Sequence, residues 1–524
     1  MQFNSIDFPI FLIVVFAIYW SIPGRKVQTQ NLFLLAASYF FYGWWDWRFL
    51  SLVAISSLTD FFIGIAFLKT KNPRHRKLLL YASLTCNLGI LAFFKYYNFF
   101  LDSLYAAFSI FGNPITESAH LNIILPLGIS FYTFQTLSYT IDVYRGKICS
   151  THKLIDFLAY VSFFPQLVAG PIERAKHLLP QFQKQRSFDY DQAIDGLKQI
   201  LWGLVKKLLI ADACAPHVAE IFTNHHDYKG STLLLGAILF AFQIYGDFSG
   251  YTDMAIGTAR LFGFKLSKNF AYPYFSRDIA EFWRRWHISL TSWFKEYLYI
   301  PLGGSRCGTL LNVRNTFIVF IVSGLWHGAN WTFIAWGAFN AMLFLPLLLT
   351  RKNKINQGTI NQGSLIPSGK VFFQVAGTFF LTCIGWVFFR SETLTDAFQY
   401  LAGIASIREG DPFEVVHRWF NHPEKVTSDM RVIFDKILNG ELVPHIKEVF
   451  KSVFTLPEIR PRDLILTLGL FSLIEWTQRE HEYALRNIRA IIRPRLLRFC
   501  IYSAILIKVT LTPVASSTFI YFQF

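Results

Sequence analysis

The chain has 524 residues, of which 53% are hydrophobic, 18% aromatic and only 16% charged, where a soluble globular protein carries about 25% charged residues. Its apolar residues come in continuous blocks of roughly 17 to 25, long enough to cross a bilayer as helices, which excludes a soluble protein and, because the blocks do not alternate, a closed β-barrel. The formal net charge of +16 gathers in short loops between these blocks, as in the cytoplasmic loops of membrane proteins, so the expected partner is the lipid bilayer and not nucleic acid.

The N-terminal MQFNSIDF has no basic segment, and no small-residue cleavage site follows the first apolar run. That run is expected to stay in the mature protein as a helix over 8–22. Arg25 and Lys26 follow it. A second helix is predicted over 31–45, ending in the aromatic turn YGWWDW, an interfacial belt. A third covers 49–68 and leads into Lys69, Lys71, Arg74, Arg76 and Lys77. A fourth covers 78–94 and continues into an aromatic-rich segment; the loop over 111–120 has no Lys or Arg. A fifth covers 123–143, before Arg145 and Lys147. Loops after the first, third and fifth helices are basic; after the second there is only Arg48, and after the fourth nothing basic. The positive-inside rule then puts the N-terminus outside the cytoplasm.

Residues 157–172 read FLAYVSFFPQLVAGPI, and Pro165, Gly170 and Pro171 would break a straight helix there. Two readings stand: a re-entrant segment lining a cavity, or an ordinary kinked helix. A basic loop with Arg174, Lys176, Lys184 and Arg186 follows, then helices over 193–222 and 233–261. The second carries Asp247 and Asp253 in QIYGDFSGYTDMAIG. These acids in an apolar span are either substrate or tunnel residues, or ties that cap or staple helices at a bend near Gly246 and Gly250.

The chain is organised around residues 278–341. Asp278 and Glu281 have capping-box spacing, and the helix they open carries Trp283, Arg284, Arg285, Trp286 and His287. Its mixture of bulky aromatics and charge predicts a helix lying partly in the interface, ended by Pro301, Gly303 and Gly304. A spanning helix then leads to His327 in GLWHGANW, within a run free of Asp, Glu, Lys and Arg from 316 to 349. An ionisable side chain at such a place is a candidate functional residue. The basic loop over 351–370 is expected in the cytoplasm. Next come a helix over 372–389 and a polar region over 391–461, expected outside the cytoplasm with amphipathic helices near 432–438 and 446–454. A helix over 464–476, a loop with Arg479, Arg486, Arg489, Arg493, Arg495 and Arg498, and a last helix from Phe499 complete the chain. The fold class is an all-α polytopic membrane protein with about 11–12 spanning helices plus re-entrant and interfacial ones. The six scattered cysteines form no C-x-x-C pair, so no metal cluster or disulfide framework is expected.

The runs FWRRWHISLTSWFKEYLYIPLGG and GLWHGANWTFIAWG, preceded by FFPQLVAGPIER and YGDFSGYTDMAIG, resemble the membrane-bound O-acyltransferase family. The closer likeness is to its bacterial branch of alginate O-acetylases, peptidoglycan O-acetylation subunits and D-alanyl transfer channels. The resemblance covers nearly the whole chain, except about 390–460. It implies one domain over 1–524: N-terminal helices (1–150), a catalytic core with re-entrant segments (151–350), the polar region (391–461) and C-terminal helices (462–524). It implies a ring of tilted helices around a thin central tunnel in the bacterial cytoplasmic membrane. The donor would be a cytoplasmic thioester, acyl-coenzyme A and here acetyl-coenzyme A, with no bound cofactor. The acceptor would be a hydroxyl of an extracytoplasmic polysaccharide, such as peptidoglycan or an exopolysaccharide, reached with a periplasmic or membrane-anchored partner acyltransferase.

By the same resemblance, His327 matches the catalytic histidine and His287 the second, upstream one. The chemistry suits them. A neutral imidazole, with an ordinary pKa near ~6.5, accepts the proton of a hydroxyl at physiological pH, and Trp326 and Trp331 would keep water from the thioester. His287 would orient substrate or base. Arg284 and Arg285 would meet donor phosphates or lipid headgroups. Trp283, Trp326 and Gln166 join Asp247 and Asp253 as tunnel or substrate candidates. The competing class is an ion- or proton-coupled transporter using Asp247, Asp253 and His327. The tail SSTFIYFQF resembles the aromatic C-terminal motif of the bacterial branch, and Tyr521 in it is a candidate acyl carrier or an interfacial anchor.

Overall fold

A computed structural model describes residues 1, 3–112, 119–228, 230–358, 360, 365–406, 461–512 and 519–520, the side chains of 461–463 excepted. Tyr521 and the helices expected over 432–438 and 446–454 lie outside the described residues. Those described form helices and loops and no strand. Among the described residues, six continuous helical stretches are long and apolar enough to cross a membrane: Val27–Lys69, Pro73–Ile110, Gly230–Leu261, Thr309–His327, Trp331–Leu349 and Gly369–Arg390. The protein is an all-α multi-pass membrane protein.

The N-terminal helices are α1 (Asp7–Ser21), α2 (Val27–Asp46), α3 (Leu50–Lys69), α4 (Pro73–Leu91), α5 (Tyr97–Ile110) and α6 (Ile129–Tyr144). Asn72 caps α4 by accepting from Arg74 N, with Pro73 at its first turn. A π-helical turn, Ala92–Tyr96, joins α4 to α5. Helix α6 starts later than position 123, because Pro126 precedes a left-handed Gly128 (φ 73°) that begins the helix. The basic loops share one face: Arg76 donates to the carbonyls of Phe67 and Tyr144, and Arg145 to that of Glu296.

Residues 157–172 form no single kinked helix. They hold most of α7 (Leu154–Ser162), then α8 (Phe164–Leu167) and a turn, and α7 at nine residues is too short to cross. Phe157, Tyr160, Phe163, Phe164 and Ala169 are fully buried, so protein covers the break, as irregular backbone at membrane depth requires. The freed carbonyl of Tyr160 accepts from the side-chain amides of Gln135 (2.8 Å) and Gln166 (3.1 Å).

After α9 (Ala175–Phe182), the helix predicted over 193–222 is two, α10 (Tyr190–Leu204) and α11 (Asp212–Thr223), joined by the π turn Val205–Ala211. Opposite lies α12 (Gly230–Leu261), 32 residues without a break. Gly246 and Gly250 therefore do not mark a bend. A Cβ on Gly250 would stand 2.7 Å from the Gly203 carbonyl, and one on Gly257 would stand 2.5 Å from that of Gly196, so the glycines let α10 and α12 touch backbone to backbone. Among the described residues, the remaining α-helices are α13 (Ile279–Arg285), α14 (Ile288–Phe294), α15 (Thr309–His327), α16 (Trp331–Leu349), α17 (Gly369–Arg390), α18 (Leu394–Ala405), α19 (Pro461–Thr477), α20 (Ile488–Ile491) and α21 (Arg495–Leu511).

One buried polar node ties α2 to the segments that follow α6. Asn31 donates to Asp156 (2.8 Å) and to the Phe182 carbonyl (2.7 Å), and accepts from Arg186 (2.6 Å). Asn31→Leu keeps the volume but strips both charges of a partner, which should cost about 3 kcal/mol. A fall of several degrees in the detergent melting temperature checks this; an unchanged melting curve would show that the node carries no stability.

Candidate active site

His327 is the last residue of α15. Gly328 continues in extended backbone, and the Asn330 side chain caps α16 by accepting from Thr332 N. The turn between the two helices is tight because Gly324 and Gly328 carry no side chain; a Cβ on either would collide with Phe333. Helix α15 ends inside the protein, where its last carbonyls need donors. Lys95 Nζ donates to the carbonyls of both Trp326 and His327, each at 2.8 Å, and Tyr96 Oη to that of Leu325 at 2.8 Å. The ammonium also meets the negative end of the helix dipole. Lys95 sits in the π turn Ala92–Tyr96. The sequence reading passed over it, although a lone lysine in an apolar run was the signal available.

The His327 ring is 4% exposed and packs edge-on against Trp326 (4.9 Å), Trp336 (5.2 Å) and Phe389 (5.3 Å). Trp331, expected to shield it, is 52% exposed; Trp336, one turn further along α16, takes that place.

His287 is not on the helix opened by Asp278. That helix stops at Arg285, Trp286 is extended, and His287 adopts left-handed backbone (φ 41°) before α14 begins. Nor is it interfacial, being 1% exposed. Asn269 holds the turn: its carbonyl accepts from Ile288 N (2.9 Å), its side-chain oxygen accepts from Ser289 Oγ (2.6 Å), and its amide donates to Thr252 Oγ1 (3.3 Å). Ser289 Oγ in turn accepts from Ile172 N (3.0 Å), which locks the broken segment onto the same turn. The His287 ring meets Phe248 edge-on at 4.6 Å. The two imidazoles, 40 positions apart in sequence, lie with centroids 6.4 Å apart and planes at 54°, near enough to touch one bound group.

The expected capping box is half present. Asp278 accepts from Glu281 N (2.7 Å), but Glu281 reaches back to Arg277 N (2.8 Å), one residue beyond the cap. Burial pushes the Glu281 carboxyl up, but hydrogen bonds from Arg277 and the charges of Arg285 and Arg277 outweigh it and hold the group below its ordinary value. Arg285 is committed to this tie and to the Ala271 carbonyl. Arg284 binds the carbonyls of Asn353 (2.8 Å) and Asn356 (2.7 Å).

Three cavities adjoin this neighbourhood. One of about 740 Å³ is lined by Trp283, Arg284, Lys295, Arg306 and Lys354, and Trp283 packs on Trp336 at 5.5 Å, the ring that covers His327. A small cavity of about 30 Å³ holds Lys95, Ser130, Phe131, Trp326 and His327. It shares Leu125, Leu127 and Val168 with another of about 350 Å³, lined by Tyr42, Lys207, Asp247, Tyr251 and Phe519. Asp247 pairs with Lys207 (2.7 Å) and accepts from Ile520 N (2.6 Å); Asp253 pairs with Lys206 (3.0 Å) and accepts from Gln199 (2.9 Å). Gln166 is buried at the break in the α7–α8 segment, with its amide on the Tyr160 carbonyl.

Two imidazoles held 6.4 Å apart inside a bundle of membrane helices define an integral-membrane protein with a buried histidine pair. The chain matches the membrane-bound O-acyltransferase family over residues 40–389 and belongs to that family; it is an O-acyltransferase. It is 42% identical over 398 residues to the "Probable alginate O-acetylase AlgI" of Pseudomonas putida, covering 75% of this chain and 78% of that one. It is 35% identical over 411 residues to the peptidoglycan O-acetyltransferase of Helicobacter pylori, with 73% and 75% covered. It is 30% identical over 247 residues to the teichoic acid D-alanyltransferase of Streptococcus thermophilus, with 44% and 59% covered.

If Lys95 fixes the end of α15, Lys95→Met should lower acyl transfer about tenfold or more, since hydrogen bonds to a charged group are worth about 1.5–3 kcal/mol. Lys95→Arg should restore part of it. Rates measured in membranes at matched protein level check this; wild-type rates in Lys95→Met would remove Lys95 from the site.

Proposed function

We propose that the protein moves an acetyl group from a cytoplasmic thioester, acetyl-coenzyme A, to a hydroxyl of an extracytoplasmic polysaccharide. The observation that carries this reading is the buried His287–His327 pair, with His327 lining a small cavity beside Lys95 and Trp283 joining a basic cavity to the ring that covers His327. The polymers named for its relatives, alginate, peptidoglycan and teichoic acid, support a cell-envelope glycan as acceptor, reached with a periplasmic or membrane-anchored partner acyltransferase.

In this reading the donor phosphates meet Arg284, Lys295, Arg306 and Lys354, and the thioester reaches past Trp283 and Trp336 to His327 through a tunnel. His327 takes the acceptor's proton as the hydroxyl oxygen bonds to the thioester carbonyl carbon. The C–S bond then breaks, and the proton returns to the leaving sulfur. His287 orients the reacting groups. Trp326 and Trp336 keep water from the thioester. The transporter reading has less support, because Asp247 and Asp253 are each paired with a buried lysine.

The setting is the bacterial cytoplasmic membrane, with the N-terminus outside and the basic loops at Lys69–Lys77 and Arg479–Arg498 inside. An impermeant thiol reagent on intact cells should then miss a cysteine placed at Arg74 and label one placed at Gly112; the opposite pattern would put the donor on the wrong side. Tyr521 follows Ile520, whose N–H binds Asp247 at the wall of the 350 Å³ cavity, and is proposed as a transient acyl carrier. Tyr521→Phe removes only the phenol oxygen and should lower glycan acetylation; normal acetylation would leave it as an anchor.

The main test supplies labelled acetyl-coenzyme A to membranes and follows label into glycan. His327→Ala should lose about 10²- to 10⁴-fold, the usual contribution of a positioned general base, with insertion and protein level unchanged. His287→Ala should retain more activity. Full activity in His327→Ala would overturn the reading.

A further inference from the structure

A second polar site lies beside the reaction centre and is used by none of the steps above. It is a cavity of about 240 Å³ lined by Phe222, His225, His226, Arg390, Glu392 and Tyr400, among others. It opens on the face where the loop after His327 emerges: Asn330 Nδ2 donates to the Glu392 carbonyl at 2.8 Å. It also adjoins the centre through α17, since Phe389 packs on His327 at 5.3 Å and Arg390 is the next residue.

Two groups in this cavity have capacity to spare. The Arg390 guanidinium lies over the Phe222 ring at 5.7 Å, and among the described residues its five donors make no hydrogen bond or ion pair. Glu392, two positions on, does not pair with it. His225 is 8% exposed. Its Nδ1 faces the Phe222 carbonyl at 3.1 Å, which only accepts, so Nδ1 carries the proton and Nε2 holds a lone pair. That Nε2 is buried without a partner among the described residues. A buried polar atom left so is costly unless a ligand or water fills the place.

The floor is rigid. Phe222 stacks on Tyr400 at 4.4 Å and 18°, and Tyr400 Oη donates to the Leu233 carbonyl at 2.7 Å. Asp396 also lines the cavity, and one of its carboxylate oxygens accepts from Thr393 Oγ1 (2.7 Å) and Thr393 N (3.2 Å). The site therefore offers a planar cation for a carboxylate, an imidazole lone pair and the exposed Glu392 for hydroxyls, and an aromatic floor. Its volume is below the ~300–1,000 Å³ of pockets that enclose drug-sized molecules and suits one sugar ring.

We propose that this cavity is a subsite for a carboxylated sugar residue, with Arg390 binding the carboxylate and His225 a ring hydroxyl, and that it holds an acidic acceptor chain in register with His327. The register step rests on the acetyl-transfer reading; binding of the sugar does not. A bidentate guanidinium–carboxylate pair supplies both strength and orientation here.

The test measures binding to the full chain in nanodiscs, without donor. The probes are a galacturonate oligomer, the same oligomer with its carboxyls reduced to alcohols, and inorganic phosphate. The galacturonate oligomer should bind at least about tenfold more tightly than the reduced one. Arg390→Gln should abolish that difference, Arg390→Lys should keep part of it, and His225→Ala should weaken the oligomer with the preference retained. Equal binding of both oligomers, or wild-type affinity in Arg390→Gln with a normal melting curve, overturns the proposal. Phosphate competing as well as the oligomer also overturns it, leaving a plain anion site. If Arg390→Gln does not fold, the reduced-oligomer comparison on the unaltered protein still decides. No acetylated product when acetyl-coenzyme A is then added to the unaltered protein would instead count against the acetyl-transfer reading.

Discussion

Inside a bilayer there is no water to satisfy a peptide group that leaves helical geometry, and no cheap place for a charge. This protein breaks its helices repeatedly at depth, and each break near the site is closed by a named side chain. The end of α15 is closed by Lys95 and Tyr96. The gap after α7 is closed by the amides of Gln135 and Gln166, and the turn at His287 by Asn269 and Ser289. Such closures cost polar groups that must themselves be held. The lysines held in the interior come on π turns, half-buried Lys95 on Ala92–Tyr96 and buried Lys206 and Lys207 on Val205–Ala211, and π turns are frequent at functional sites.

The site follows from these closures. His327 ends a helix and His287 begins one, so neither ring sits in the middle of a regular element where neighbouring turns would dictate its direction. Asn269 sets one and Lys95 the other. A left-handed histidine is an unusual conformation, and it persists because Asn269, Ser289 and Ile172 over-determine the turn around it. The result is a pair of imidazoles packed among Phe131, Phe248, Trp326 and Trp336, a setting in which proton transfer competes with little water.

Much of the fold was legible because hydropathy reports burial in lipid directly. The apolar blocks, the basic loops and the isolation of His327 needed only composition and spacing. Boundaries failed where backbone geometry decided: α6 waits for Gly128, and the predicted helix over 193–222 is split by a π turn that leaves no periodicity signal. The candidate site was half legible. His327 and His287 could both be singled out in the sequence, and the resemblance supplied their roles, but the helix expected to carry His287 was taken as partly interfacial because of the arginines at 284 and 285. Arg285 is in fact drawn inward by buried Glu281, a pairing that a helical wheel shows only once the helix is known to be covered. Trp331 was mistaken for a shield because it is nearer His327 in sequence than Trp336, while five residues of helix, about 140° round from Trp331, put the latter against the ring.

The cavities also bear on what can pass. The basic cavity of about 740 Å³ and the apolar-walled one of about 350 Å³ do not have a wide junction at the histidines. The space that Lys95 and His327 share is small, about 30 Å³. A long acyl chain would have to displace Trp326, Trp336 and Phe131 together, which close-packed aromatic cores resist. The aromatic packing around the two histidines thus leaves little free space beside His327.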